Sequence, residues 1–228
     1  SMLQLAQTTD SVYWECLAMS FMARNYYNRV VPDSFMYWAE RVDSIALRHK
    51  HYKLFFDTFS LVCSWDLYEK NYDNALENSN RLYLLAKELN NADGLIASHE
   101  TIGLIYMETF RYMKAIKSFN EGLELQRQQK NPRYGYQFQF LSYIIECYLK
   151  LKDYSNVQQT LSEASELVEI CKVQEKNFPV RRCLWLLNCY YIEMYVQQQL
   201  PHKAEAYIIE ADRYKDIDDF YVFCYYNL

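Results

Sequence analysis

The chain is poor in the residues that break a backbone. Its 228 residues include only four glycines and four prolines. Sheet-rich folds need frequent tight turns, and glycine and proline build most of them. Their scarcity excludes a β sandwich or barrel and leaves an all-α fold. Basic clusters are missing as well. The net charge is −5 and the isoelectric point about 5.5, whereas a protein that tracks phosphates gathers Lys and Arg on one face. No direct nucleic-acid partner is expected. The seven cysteines are odd in number and contain no C-x-x-C pair. Cys16, Cys63, Cys147, Cys183 and Cys189 fall in apolar helical stretches, where an unpaired thiol acts as a small hydrophobe. A reducing cytoplasm fits this usage, with a periplasm holding unpaired buried thiols as the alternative. No apolar run reaches the roughly 20 residues that span a bilayer; Leu184 to Val196 is interrupted by Asn188 and Glu193. No signal-peptide pattern is visible either.

The usual signatures of chemistry are also lacking. There is no glycine-rich phosphate loop, nucleophile elbow or H-E-x-x-H. His49-x-His51 is the only close histidine pair, and on one helix an i, i+2 spacing turns the rings to different faces. With Arg48, Lys50 and Lys53 beside it, the pair reads as a basic helix end. Cys189 is the one thiol to watch, but no neighbouring base is present to lower its pKa. No catalytic residue, metal or cofactor is expected.

What the chain has is spacing. His99-x-x-Ile102-Gly103-x-x-Tyr106 is followed by Ala115-x-x-x-Phe119. Leu141-x-x-Ile144-Ile145-x-x-Tyr148 precedes Val157-x-x-x-Leu161, and Asn188-x-x-Tyr191-Ile192-x-x-Tyr195 precedes Ala204-x-x-x-Ile208. Upstream, Phe59-x-x-Val62-Cys63-x-x-Asp66 precedes Ala75-x-x-x-Ser79. In these four copies the same nine positions separate the Tyr-equivalent from the Ala-equivalent. Trp14-x-x-Leu17-Ala18-x-x-Phe21 reads as a fifth copy, with its second helix displaced to about Phe35 through His49 and Ala39 as its Ala-equivalent. Pro32 with Asp33 or Ser34 would restart that helix, Asp or Ser acting as the cap. Asn90 to Gly94, Asn131-Pro132, Lys152-Asp153 and Leu200-Pro201 read as the punctuation between helices.

The spacing W-x2-L-G-x2-Y, then A-x3-F, resembles that of the tetratricopeptide repeat family over nearly the whole chain. The resemblance implies an α-solenoid of about five antiparallel helix pairs in a right-handed superhelix. It would form a single repeat domain over 1–228, with repeats near 10–49, 52–90, 94–130, 134–172 and 180–215. Small residues, Gly103, Ala18 and Cys63 on one helix and Ala115, Ala75, Ala39 and Ala204 on the other, would sit where the helices of a pair cross. Trp14, Tyr106, Tyr148 and Tyr195 would fill the space between pairs. The repeats run 40 to 47 residues against about 34 in the family, so longer helices and a deeper groove are expected. The segment 219–228, with its run Phe220 to Tyr226, reads as the start of a further or capping helix, with the protein continuing past Leu228.

In this family the first helix of each pair lines a concave groove. Carried onto this chain, that implies a partner-binding face holding Glu15, Tyr68, Glu100, Leu104, Glu108, Glu146, Lys150 and Glu193. Lys150 alone resembles the Lys and Asn set that clamps a chaperone's C-terminal carboxylate, so such a clamp is not expected. The groove instead has acidic and aromatic character, suited to a basic or amphipathic peptide. The plainer reading of the same glutamates is a solvated helix surface, since Glu is a good helix former. The function implied is a non-enzymatic protein- or peptide-binding scaffold, with a homo-oligomer through the C-terminal helix also in view. The alternative is the ligand- or peptide-sensing region of a larger signalling or transcription regulator, as in bacterial signalling proteins with such repeats.

Overall fold

The computed structural model describes residues 11–174 and 179–214, and these form ten helices. They are α1 (Val12–Asn28), α2 (Pro32–Arg48), α3 (Tyr52–Tyr68), α4 (Tyr72–Glu88), α5 (Ala92–Glu108), α6 (Tyr112–Arg127), α7 (Tyr134–Leu151), α8 (Tyr154–Gln174), α9 (Val180–Gln197) and α10 (Pro201–Asp212). No strand occurs among the described residues. The architecture is an α-solenoid of consecutive helix pairs. Each of the first five helices has 17 residues, so the long repeats consist of long helices, as expected.

The connections explain how so few glycines suffice. Val30, Lys50, Lys70, Asn90, Phe110, Lys152 and Gln199 all adopt φ between 49° and 60°. Each stands in a short connection where the next residue's N–H bonds back to the helix. Val31 N donates to Tyr26 O at 3.0 Å, Asn71 N to Asp66 O at 2.8 Å, Arg111 N to Tyr106 O at 2.7 Å, Asp153 N to Tyr148 O at 3.0 Å and Leu200 N to Tyr195 O at 2.9 Å. This is the Schellman turn, which usually places glycine at the left-handed residue. A side chain there costs roughly 1–2 kcal/mol, and a β-branched one is the least suited. Val30→Gly is therefore expected to stabilise the protein. Glycine's extra freedom in the unfolded chain offsets about 0.4–1 kcal/mol, so the net gain is on the order of 0.5–1 kcal/mol. A urea melt should place the midpoint higher with an unchanged slope; a lower midpoint would contradict the strain.

The chain divides into two compact units, residues 1–105 and 106–228. In the first, α1 packs on α2 and α3, α2 on α3, and α3 on α4. One core cluster joins Cys16, Met19, Val42, Leu54, Phe55, Phe56, Phe59, Cys63 and Leu82; a second joins Ala23, Phe35, Ala39 and Trp65. His99 meets the edge of Tyr83 at 5.5 Å, a packing contact between α5 and α4. In the second unit α7 packs on α6, α8 and α9, and α9 packs on α8 and α10. Phe119 there is fully buried, stacked on Tyr143 at 5.0 Å.

Four sequence expectations change. The fourth residue of every second helix is Phe35, Ala75, Ala115, Val157 or Ala204, each at most 1% exposed. In the first pair the Ala-equivalent is thus Phe35, not Ala39, and nine positions before it stands Tyr26. The first copy is Met19-x-x-Met22-Ala23-x-x-Tyr26, with no displaced helix, and Trp14 is 54% exposed rather than filling a gap between pairs. Second, α2 starts at Pro32, whose missing N–H costs nothing in the first turn; no side chain caps it. Third, Gly94 is no loop residue: it lies in the first turn of α5, its N–H bonded to Asn91 Oδ1 at 2.8 Å. Fourth, His49 and His51 flank the α2–α3 turn instead of sharing a helix, and their rings lie nearly parallel at 6.2 Å. The helix start expected at Asp216 to Asp219, the apolar run after it and the oligomer contact drawn from it lie outside the described residues.

Candidate functional site

The first helices of the pairs carry the expected partner-binding residues, and the second unit brings four of them together. Glu146 and Lys150 stand one turn apart on α7, Glu193 faces them from α9, and Glu108 ends α5. Tyr190, also on α9, donates its hydroxyl to Glu146 Oε1 at 2.6 Å. Burial pushes the Glu146 carboxyl up; the Tyr190 bond and the Lys150 charge pull it down, and the charges of Glu193 and Glu108 push it up again. Lys150, Glu193 and Glu108 therefore lie within electrostatic reach of Glu146. Of these four side chains, three are carboxylates and one is an ammonium. Glu193 is held in turn by Gln197, whose Nε2 donates to its Oε1 at 2.9 Å.

In the first unit the same register gives a different surface. Tyr68 is exposed and tilted against Trp65 at 5.7 Å, while Glu100 and Leu104 are half-buried on α5. Counting by helix position, Ser20 and Ser60 are the equivalents of Glu100, and Arg24 and Ser64 those of Leu104. Ser20 Oγ donates to Leu17 O at 2.8 Å, and Ser64 Oγ to Ser60 O at 3.0 Å. These hydroxyls bond their own helices. Glu15 stands five residues before Ser20, at the position that the buried Phe55 takes in α3. Its described effect is on its neighbour: burial raises the Cys16 thiol to about 11, and the Glu15 charge adds to it.

Sequence reasoning missed Tyr190, the residue that anchors Glu146. No motif position marks it; its only signal is a distance of 44 residues, about one repeat. It also missed Ser20 and Arg24, which become visible once the nine-position spacing is read from Tyr26 to Phe35. Burial raises the Cys189 thiol to about 11, so at neutral pH it is a protonated packing group and no nucleophile. Among the described residues, no group of three or more His, Cys, Asp or Glu side chains is placed to hold a metal ion, and no helix is long and apolar enough to cross a membrane.

No family model matches the chain, and no curated protein does. Solved structures do. A putative kinesin light chain with nearly identical TPR-like repeats from Podosopora anserina is similar at a TM-score of 0.63 and 12% identity, over 87% of this chain and 93% of that one. BtubC from P. vanneervenii is similar at 0.60 and 12% identity, over 90% and 91%. A signal transduction ATPase of the STAND class with a tetratricopeptide repeat sensor, from Pyrococcus horikoshii, is similar at 0.54 and 14% identity; the match covers 92% of this chain and 39% of that one. At such identities the likeness speaks for the fold, and with the helix pairs and their register it places this chain among the TPR-like α-solenoids in fold.

Proposed function

We propose that the chain is a non-enzymatic scaffold that captures a basic or amphipathic protein segment on the faces of its first helices. The observation that carries this reading is the carboxylate group around Glu146. Glu146 and Glu193 are half-buried and Glu108 is exposed; carboxylates partly withdrawn from water beside a single ammonium are unfavourable by themselves, and a bound Lys or Arg relieves them. A helix laid along such a face, with cations one turn apart, supplies the matching charge. The mildly acidic balance of the chain argues against nucleic acid as a direct partner, and the unpaired thiols suit a cytoplasmic setting. A second reading, the sensing region of a larger regulator, draws support from the likeness to the Pyrococcus horikoshii protein, whose repeats are described as a sensor.

The test uses a labelled helical peptide with lysines every fourth residue, titrated into the full chain. Affinity should fall by about tenfold or more as salt rises from roughly 0.05 to 0.5 M, because screening shortens the reach of the charges. Glu146→Gln with Glu193→Gln should remove most of what salt removes while leaving the melting curve folded and cooperative. Failure of the peptide to bind, or binding indifferent to both salt and the double substitution, would overturn the acidic-face reading. A ligand-induced change in scattering-derived size would favour the sensor.

A further inference from the structure

The turn between α2 and α3 gathers cations that the fold does not ask for. Arg48, His49, Lys50, His51 and Lys53 follow one another closely, and all but His51 are exposed. A basic helix end accounts for Arg48, which closes α2. It does not account for Lys50, beyond the helix, or for Lys53 in the first turn of α3, where the helix dipole favours an acid. The turn between α4 and α5 shows what the same backbone carries otherwise. Counted by helix position, it holds Glu88, Leu89, Asn90, Asn91 and Asp93 in these places, and Lys50 and Asn90 share the left-handed conformation.

The cluster is held in order and is not neutralised from within. Tyr13 of α1 meets the His51 ring edge-on at 5.3 Å, and the exposed Trp14 meets Tyr13 at 5.4 Å. His49 stacks on His51 from the other side of the turn. Lys53 is paired with Asp57 at 3.1 Å, but among the described residues Arg48 and Lys50 have no carboxylate within ion-pair distance. Each imidazole keeps an N–H donor whether charged or neutral. Like charges this close repel one another, and carboxylates from outside relieve the crowding. Three full cations are too few for a nucleic-acid backbone, whose binders neutralise about six to ten phosphates. We propose that this turn docks an acidic segment of a partner protein, with its carboxylates laid across Arg48, Lys50 and the two imidazoles. The patch has the opposite sign to the face around Glu146 and belongs to the other compact unit, so it stands independently of that face.

A labelled oligoglutamate peptide, titrated into the full chain at about 0.05 M salt, where charges are weakly screened, tests this. Arg48→Glu with Lys50→Glu should weaken binding by about tenfold or more and keep a cooperative melt, since both side chains are exposed. Lys70→Glu with Lys152→Glu makes the same change in net charge at the left-handed residues of two other turns. It should alter the affinity by about twofold at most, because those charges act only from a distance. No binding of the peptide, or an equal loss in the two double variants, would overturn the proposal. So would single-stranded DNA binding the turn more tightly than oligoglutamate, which would make a nucleic acid the occupant. A concentration-dependent dimer in sedimentation that Arg48→Glu with Lys50→Glu dissolves would overturn it as well, in favour of a second copy.

Discussion

Phe35→Ala is expected to destabilise the protein by about 3–5 kcal/mol, the range for emptying a buried aromatic site. The substitution is informative because the repeat itself recommends it. The same helix position holds alanine in Ala75, Ala115 and Ala204, so a consensus argument would put alanine here and expect a gain. Packing argues the other way. Phe35 is fully buried, meets Tyr27 at 5.5 Å and Trp65 at 5.4 Å, and neither large ring can collapse into the space without leaving its own contacts. The first pair has exchanged the large and small residues of its second helix: Phe35-x-x-x-Ala39 stands where the third pair has Ala115-x-x-x-Phe119. The urea midpoint of Phe35→Ala should fall far below wild type, and a midpoint at or above wild type would show that the repeat average outweighs the local jigsaw.

That exchange also explains what could and could not be read from the residues. The helix-pair architecture was legible because the apolar and small positions recur at one spacing, and the physical demand behind them, close crossing of two helices, is the same in every pair. The first pair's register was not, because a ring at Trp14, five residues before Met19, and a small residue at Ala39, four after Phe35, imitated the motif out of step. Glu15 was drawn into the candidate face by that slip. The turns were legible only as places: nothing in Val30 or Phe110 announces a left-handed conformation, which the hydrogen bonds of the preceding helix impose from outside. Among the candidate site residues, Glu108, Glu146, Lys150 and Glu193 were read from two positions one turn apart that repeat along the first helices, Glu146 and Glu193 one residue after the Gly-equivalent and Glu108 and Lys150 five after it. The hydrogen bond from Tyr190 was not, since it depends on how two helices rotate against each other and a sequence carries no direct record of that angle.

Gly94 supplies the second large effect, and its sign has to be decided between two terms. Alanine favours a helix over glycine by up to about 1 kcal/mol in an interior position, and less in a first turn such as this one. Against that, a Cβ built on Gly94 would lie 2.7 Å from both Cδ1 and Cε1 of Phe56 and 2.8 Å from Cβ of Ala86. Phe56 and Ala86 are both buried in the first unit's core. The phenylalanine ring has little room to turn, and the alanine Cβ cannot move without its backbone. Overpacking of this kind costs about 1–3 kcal/mol, so Gly94→Ala should lower the midpoint of unfolding despite its better propensity. The cause can be separated from the loss of glycine itself by a double-mutant cycle. In an Ala86→Gly background one of the three close contacts is gone, and Gly94→Ala should then cost measurably less, with a coupling of about 0.5 kcal/mol or more. Equal costs in the two backgrounds would mean that α4 gives way freely and that the Phe56 ring alone sets how closely α5 can approach.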